Sequence, residues 1–564
     1  MLGLKGAASC LLAIGVPLAG CAVGPDFERP AAPDVAGYTA GPLAQQTASA
    51  GIAGGEAQRF VRDLDIPGQW WTLFHSAALN ALIEQALNNN PTLPAAQAAL
   101  GQAWENVYAA QGAFFPTAVA GYSASRNKTA TGVVFTAASS GSPFFTLHTA
   151  QVVVSYAPDV FGGTRRQVEA LMASAEFQRY QVEAVYLTLT SNVVAAAVQE
   201  ASLRGQIAAT EEIIKIETEA LAILRKQFEL GQVAGADVAA VEATLAQAEA
   251  TLPPLHKQLS VQRDLLTALI GRLPSEEPAE KFDLAALQLP QDLPVSLPSK
   301  LVEQRPDIQS AQAQLHAASA LIGLAIAAQL PQFTLTANAG TTANQIGQLF
   351  TTPGTAFWTV AGNVAQTIFD AGTLLHKKRV ADAAFDEAAA MYRSTVITAF
   401  QNVADTLHAL QSDAETLKAA YAAERAAFKS LEITRRQLEL GAITYLGLLT
   451  AENTYNTALI ALVQAQAARY ADTAALFQAL GGGWWNREDV APKKMGHRVY
   501  PRLPKPGNFE MEAAAEHGYR SARLIVTRVD EQLVVERDGD GIRQLPPLRR
   551  HCQENGLLDR RGWS

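Results

Sequence analysis

Cysteine is scarce in this sequence, and its scarcity excludes two kinds of architecture. The chain has 564 residues, enough for two or three domains, but only three cysteines: Cys10, Cys21 and Cys552. Cys10 lies in an apparent leader, so any disulfide of the mature chain would have to join Cys21 to Cys552. The sequence therefore predicts neither a disulfide framework nor a cysteine metal cluster.

Charge and long apolar runs are also limited. Charged residues make up 17% of the chain and hydrophobic residues 49%, so the chain can bury a large apolar surface. Its formal net charge of −9 argues against a nucleic-acid binder, whose footprint would be basic. No uninterrupted apolar run reaches the roughly 18 residues of a membrane-spanning helix. If the chain crosses a membrane, we expect it to do so as β-strands.

The motifs of common catalytic sites are missing. The sequence has no His-Glu-x-x-His, Gly-x-Ser-x-Gly, phosphate-binding glycine loop or Cys-x-x-Cys. Its nine histidines are scattered, which is typical of solvated or packed side chains. We therefore predict that the protein is not an enzyme and has no cofactor and no metal site.

The first 20 residues have the layout of a secretory signal peptide. Lys5 precedes an apolar stretch from Ala7 to Val16, and Leu18-Ala19-Gly20 stands directly before Cys21. This ending resembles the bacterial lipobox, which implies that Cys21 is lipidated and becomes the mature N-terminus. The next residue is Ala22 and not aspartate, which implies sorting to the outer membrane. The alternative is a buried cysteine near an ordinary cleavage site.

The chain is a tandem duplication. Arg225-Lys-Gln-Phe-Glu-Leu-Gly231 recurs as Arg435-Arg-Gln-Leu-Glu-Leu-Gly441, an offset of 210, and Pro91 and Pro116 match Pro306 and Pro331. The predicted organisation is a signal peptide (1–20), an N-terminal periplasmic strap (21–75), a first repeat (76–272), a linker (273–297), a second repeat (298–484) and a mostly disordered C-terminal extension (485–564).

Each half contains the same predicted elements. A helix that starts at Pro91 or Pro306 is followed by two alternating segments around a polar loop, which predicts a long hairpin. The predicted strands are Thr117–Ser125, Leu147–Tyr156, Gln332–Thr341 and Phe357–Ile368. Strands of this length suit a tilted transmembrane strand.

Very long helices follow each predicted hairpin. About 68 residues from Gly163 to Leu230, and a similar stretch from Thr373 to Leu440, contain no proline, which corresponds to about 100 Å of helix each. A 4-3 spacing of apolar residues indicates coiled-coil packing. The predicted stripes are Leu417, Tyr421, Phe428, Leu431 and Leu438, interrupted by Glu424 and Arg435, and Ile207, Ile214, Leu221 and Phe228, interrupted by Glu211, Thr218 and Arg225.

Glycines then turn each long helix back on itself. Gly231 and Gly441 are predicted C-caps, and shorter returning helices run from Ala236 to about Gly271 and from Thr444 to about Leu480. Pro253-Pro254 is predicted to kink or break the first of these helices.

Four strands cannot close a barrel, and an open sheet edge in lipid would leave backbone groups unsatisfied. The predicted fold class is therefore mainly α with a membrane β-barrel. The protomer is a duplicated set of long coiled-coil helices plus four strands. Three protomers would supply a 12-stranded barrel and a periplasmic α-helical tunnel.

A basic cluster, His376-Lys377-Lys378-Arg379, begins the second long helix, and Arg165-Arg166 occupies the matching place in the first half. One interpretation places these cations beside lipid phosphates at the periplasmic membrane face. The other is an ordinary solvated helix face.

Several motifs, in this order, resemble the outer-membrane efflux proteins of the TolC type, in particular the OprM-like lipoproteins. They are Gly20-Cys21-Ala-Val-Gly24-Pro25-Asp-Phe-Glu-Arg-Pro30, Trp70-Trp71, Asn90-Pro91, Arg305-Pro306-Asp307, Phe369-Asp370-Ala-Gly372 and Leu440-Gly441…Tyr445-Leu446. The resemblance covers about residues 18–485. It implies a homotrimer in the outer membrane, a periplasmic adaptor protein and an inner-membrane pump as partners, and export of drugs or other small toxic compounds.

The resemblance also implies a gate at the tips of the long helices. OprM-like proteins have a Tyr-Leu-x-Leu-Leu-Asp-Ala-Gln-Arg pattern whose leucine and aspartate form constricting rings. Here the leucine is Leu446, but Thr450 stands for the aspartate and Asn453 for the arginine. Asp237, which aligns with Gly447, is a candidate for a displaced acidic ring. The turns at Gly231 and Gly441 are the expected adaptor contacts; the alternative for Leu446 is helix packing.

Two other functions stay open at this point. An outer-membrane exporter of a type I protein secretion system would have the same helices and strands. A lipid-anchored periplasmic coiled-coil scaffold without a pore would explain the helices and the anchor, but not the paired hairpins.

Overall fold

The computed structural model of the chain describes residues 22–35, 37–128 and 144–487. The predicted signal peptide, Cys21, most of the first hairpin loop and the C-terminal extension from residue 488 onwards lie outside the described residues.

Helices predominate in the described part, and the two halves repeat one order of elements. A short strand, β1 (Arg59–Arg62), comes first. The first half follows with α1 (Ala77–Asn89), α2 (Thr92–Gln111), β2 (Thr117–Lys128), β3 (Phe144–Tyr156), α3 (Gly163–Glu229) and α4 (Gly235–Leu269). The second half, after strand β4 (Asp292–Val295), consists of α5 (Pro298–Gln304), α6 (Pro306–Ala327), β5 (Gln332–Ala343), β6 (Ala356–Ala365), α7 (Thr373–Glu439) and α8 (Tyr445–Ala479).

The same local chemistry begins the long helix of each half. The carboxylate of Asp159 accepts a hydrogen bond from the backbone N–H of Thr164 (3.0 Å), and that of Asp370 accepts one from Leu374 (2.7 Å). The first N–H groups of a helix have no partner within the helix, so a preceding carboxylate stabilises the helix start. The duplicated aspartate thus marks the point where each hairpin ends and each long helix begins.

The two hairpins form one sheet. Its strand order is β2-β3-β5-β6 and all neighbours are antiparallel. Pairing of β3 with β5, for example Val153 opposite Asn338, joins the two halves, which the sequence did not predict. Strands β2 and β6 are the edges of this sheet, and neither has an outer partner among the described residues.

A second, two-stranded sheet ties the predicted strap to the predicted linker. Strand β1 pairs in parallel with β4, and the guanidinium of Arg59 lies 2.7 Å from the carboxylate of Asp292. The sequence predicted no regular structure in either segment. Each strand has only four residues, too short for a pattern of alternation to stand out.

The core of this region is aromatic. Trp70 is 1% exposed and stacks on Phe477 of α8, with ring centroids 5.4 Å apart. Phe74 and Tyr470 are fully buried beside them, and the Tyr470 hydroxyl donates to the carbonyl of Leu287 (2.8 Å). The Trp70-Trp71 motif is therefore a packing motif that seats the last helix against the strap and linker.

Burial follows the predicted stripe in the second half and only in part in the first, where Ile207 and Leu221 are buried but Phe228 is 50% exposed. Leu417 and Leu431 are buried on α7 as expected. On α3 the predicted interrupting residues Glu211 and Thr218 are exposed. The buried set there is Ile207, Thr210, Ile213, Glu217, Ala220, Leu221 and Leu224. Because α3 packs against α2, α4, α6 and α8, its buried face is broader than one seam.

The predicted break at Pro253-Pro254 is wrong. Helix α4 continues through both prolines. A proline leaves the carbonyl one turn earlier without its N–H donor, and here those carbonyls belong to the exposed residues Glu249 and Ala250, where water can bond to them.

Among the described helices, α3 alone has a stretch long and apolar enough to cross a membrane by composition. Half of that stretch is buried inside the chain.

Candidate functional site

The two helix turns that the sequence singled out are built alike. Gly231 and Gly441 have left-handed φ angles of +73° and +71°. Each donates its N–H to a carbonyl three residues back, from Gly231 to Phe228 and from Gly441 to Leu438, at 2.9 Å in both cases. A side chain would strain this backbone conformation, so glycine is the residue that ends each long helix tightly.

Equivalent ion pairs cross both helical hairpins next to these turns. Arg225 of α3 lies 2.7 Å from Glu242 of α4, and Arg435 of α7 lies 3.4 Å from Glu452 of α8. The two pairs are related by the repeat offset of 210. Glu242 is largely exposed, whereas the side chain of Glu452 is 5% exposed. The second pair therefore leaves a carboxylate in the protein interior.

Leu446 and Thr450 lie one turn apart at the start of α8. Leu446 is 59% exposed, whereas its neighbours Leu448 and Leu449 are buried. The Thr450 hydroxyl is exposed and donates to the carbonyl of Leu446 (3.0 Å). Both candidate constriction residues thus lie on the face of α8 that points away from the protomer's own core.

Asp237 sits at the matching turn of the first half, in the first turn of α4. Its carboxylate accepts a hydrogen bond from the backbone N–H of Ala234 (3.2 Å). This bond gives Asp237 a local role in capping the start of α4.

Helices α3, α4 and α8 meet just above the turns. Leu221 and Leu224 of α3, Val241 of α4 and Leu449 of α8 form one buried apolar cluster. One helical turn before Leu221 on α3, Glu217 is 1% exposed, and neither of its carboxylate oxygens has a hydrogen-bond partner. Glu217 was not predicted from the sequence, because the predicted stripe of α3 runs through Thr218, one position away.

The environment of Glu217 disfavours its charge. Burial, and then the nearby carboxylate of Glu452, raises the pKa of Glu217 to about 7. Burial also raises the pKa of Glu452, although Arg435 opposes that shift. The Oε2 atom of Glu452 also has no hydrogen-bond partner. Two carboxylates on different helices therefore share one poorly solvated space.

The arginines at the start of α3 are engaged within the chain, and for the buried Arg166 both the lipid-phosphate interpretation and that of a solvated helix face are wrong. Arg165 pairs with Asp159 (3.1 Å), and Arg166, which is 3% exposed, pairs with Asp26 (2.8 Å). Arg166 also donates to the carbonyl of Val23 (3.1 Å). Arg166 thus holds the segment from Val23 to Asp26 against the helix, and these partners lie at least 140 positions earlier in the chain.

The basic cluster at the start of α7 has a different environment. Lys378 is paired with Asp382 at 2.7 Å, one turn along the same helix. His376, Lys377 and Arg379 are exposed in the protomer.

Within the described ranges, no group of three or more histidine, cysteine, aspartate or glutamate side chains is placed to hold a metal ion.

The family model described as outer membrane efflux protein matches residues 82–272 and 297–482. Among curated proteins, the chain is 30% identical over 476 residues to the toluene efflux pump outer membrane protein TtgC of Pseudomonas putida; the match covers 84% of this chain and 95% of the relative. It is 29% identical over 423 residues to the pyoverdine export outer membrane protein OpmQ of Pseudomonas putida, covering 74% and 89%.

Solved structures have the same fold. The outer-membrane channel OprN superposes with a TM-score of 0.73 at 25% identity, covering 82% of this chain and 100% of that one. The Campylobacter jejuni CmeC outer membrane channel superposes with a TM-score of 0.73 at 22% identity, covering 84% and 97%. With two repeats matched by one family model, and relatives aligned over nearly their whole length, the chain belongs to the outer membrane efflux protein family and is an outer-membrane channel component of an efflux system.

Proposed function

We propose that three copies of this chain close a 12-stranded barrel in the outer membrane. Their long helices then form a tunnel through the periplasm that serves as a passive exit duct. The observation that carries the proposal is the four-stranded antiparallel sheet with β2 and β6 at its edges. An open edge in lipid costs several kcal/mol for each unsatisfied backbone group, so β6 of one copy pairs with β2 of the next.

Small toxic compounds are the proposed cargo. The relatives' names refer to small organic molecules: toluene in one case and pyoverdine in another. These names favour efflux of small molecules over protein export by a type I system. A scaffold without a pore would leave the sheet edges without a function.

The gate is proposed at the start of α8. Three Leu446 side chains from three copies would meet near the tunnel axis and close it by excluding water. Thr450 would form a neutral ring in place of an acidic one, and Asp237 would contribute negative charge nearby. The supporting observation is the 59% exposure of Leu446, which frees its side chain for contacts outside its own protomer.

The helix tips are the proposed adaptor contact, which completes a path from an inner-membrane pump. Beside Gly231 and Gly441, the equivalent leucines Leu230 and Leu440 are 66% and 75% exposed. Exposed leucines at the two tips of each protomer offer apolar contacts to a periplasmic partner. Lipidation of Cys21 would hold the N-terminal segment at the outer membrane.

Cross-linking across the sheet edges tests the barrel. Ala118 lies on β2 and Val364 on β6, so cysteines introduced along these two strands should form disulfides between copies. A scan of positions along each strand allows for the unknown register. Denaturing gels should show a covalent trimer for at least one pair. Cysteine pairs on β3 and β5, which face each other within one chain, are the control and should give no intermolecular product. A product that stops at the dimer, or none across the scan, would contradict the trimer.

A further inference from the structure

Helix α8 is held mainly by contacts to two helices, with a smaller contact to α4. It packs along α7, its partner in the returning hairpin, and also against α3 of the first half. The candidate gate residue Leu446 belongs to α8, so any change in the α3–α8 contact moves Leu446. This contact contains Leu221, Leu224 and Leu449, which favour docking, and one pair of carboxylates, which does not.

We propose that the Glu217–Glu452 pair makes the α3–α8 contact sensitive to pH and thereby regulates the aperture of the tunnel tip. The inference rests on the proposed duct function. With Glu217 neutral, the contact contains a single carboxylate, and Arg435 of α7 compensates it. With Glu217 ionised, two buried carboxylates repel each other across the contact, and Arg435 reaches only one of them.

None of the other charged and titratable groups named here changes its charge inside the α3–α8 contact over this pH range. Tyr445 of α8 lies in the fields of both glutamates, but its pKa is raised by burial and by both carboxylates, so it stays neutral. Helix α4 carries Glu242 and Glu249 along this stretch; both are exposed, and Glu242 is paired with Arg225. The residue that corresponds to Glu217 in the second repeat is Ala427, so that position of the repeat carries no carboxylate on α7.

The direction of the effect follows from linkage. The pKa of Glu217 is raised to about 7 in the docked arrangement, so docking retains a proton that the separated helices release. Docking is therefore strongest at acidic pH and weakens as the pH rises from the ordinary pKa of glutamate towards 7. Since one pKa unit corresponds to about a tenfold change in an equilibrium, we expect the population of the undocked tip to rise at least about tenfold.

Planar-bilayer recordings of the purified trimer at pH 5.5 and pH 8.5 test the inference. Wild-type channels should be open about ten times more often at pH 8.5. Glu217→Gln keeps the shape of the side chain and removes its charge, so this variant should stay at the low level at both pH values. Glu219→Gln, the same substitution at an exposed position of the same helix, is the matched control and should behave like wild type.

A distance measurement gives a readout that does not depend on conduction. Nitroxide labels on Ile223→Cys of α3 and Asn453→Cys of α8, both exposed positions, should move apart between pH 5.5 and 8.5, and should not move in the Glu217→Gln background. Channels whose opening is the same at both pH values, or a Glu217→Gln variant that retains the wild-type pH response, would overturn the inference and leave the duct intact. A trimer that conducts at neither pH would overturn the proposed function itself.

Discussion

Gly231 and Gly441, 210 positions apart in the chain, adopt the same left-handed backbone conformation at the ends of the two long helices. No atom lies within 4 Å of the position that a side-chain Cβ would take at either glycine. Glycine is therefore required at these positions because of the positive φ angle, since there is room for a side chain.

Substitution of this glycine should destabilise the helix tip without a steric clash. Gly441→Ala places a Cβ in the left-handed region, which costs about 1–2 kcal/mol. We expect faster proteolytic cleavage between residues 436 and 446, measured by limited digestion of the folded protein. Gly447→Ala, inside α8, is the control and should be neutral or slightly stabilising. Equal cleavage rates in the two variants would contradict the assignment.

Leu446→Ala should open a leak without unfolding the chain. Leu446 is 59% exposed, so its loss should change the free energy of unfolding by less than about 0.5 kcal/mol. In planar bilayers, the resting conductance of the trimer should rise. Leu448→Ala provides the contrast: Leu448 is 6% exposed, so the variant should lose about 2–5 kcal/mol of stability. An unchanged resting conductance in Leu446→Ala channels would move the gate elsewhere.

Thr450→Asp should make the channel more selective for cations. Three added carboxylates near the axis would attract cations to the tip. Reversal potentials measured in a salt gradient should shift towards the equilibrium potential of the cation. Thr454→Asp adds the same charge one turn further along α8, and its smaller shift would locate the narrow point at 450. Equal shifts in the two variants would indicate that the added charge acts through the overall electrostatic field of the tip and not through a narrow ring at position 450.

Cys21→Ser should abolish lipidation and leave the fold intact, because the predicted anchor precedes both repeats. Cells grown with labelled palmitate should incorporate the label into wild-type protein only. The trimer content of the variant, read from gels of unheated samples, should match that of wild type. Label in the Cys21→Ser protein would rule out the lipobox interpretation.

The turn between β5 and β6 should face the cell exterior, because the long helices leave from the opposite end of the sheet. Ile346→Cys, in this turn, is 63% exposed and should react with an impermeant thiol reagent on whole cells. Leu230→Cys has a similar exposure of 66% but lies at the predicted periplasmic tip, so it should react only after the cells are opened. The reverse pattern would invert the topology. The equivalent loop of the first half, near Arg126–Gly141, should label like Ile346→Cys.

Features that depend on neighbours in sequence were predictable. Gly231 and Gly441 lie at the ends of the long helices, where the sequence predicted them. These features depend on backbone hydrogen bonds within a few residues and on the φ angle of a single glycine. The family resemblance, carried by motifs repeated in one order, was confirmed by the match to the outer membrane efflux protein model.

Features that depend on partners distant in the sequence could not be predicted from it. Arg166 is paired with Asp26, 140 positions earlier, so a sequence motif alone made it look like a free cation. The pairing of β1 with β4 joins segments more than 200 residues apart.

The sequence by itself determined the duplication, the bounds of the long helices and the turns at their tips, because local backbone preferences and apolar periodicity are enough to specify them. Only the tertiary structure decided which face of α3 is buried and which charges meet there. Helices α1, α2, α4, α6 and α8 all pack against α3, and burial together with the carboxylate of Glu452 on α8 raises the pKa of Glu217. Burial and electrostatic repulsion are properties of the packed arrangement, so no pattern within α3 alone could show them.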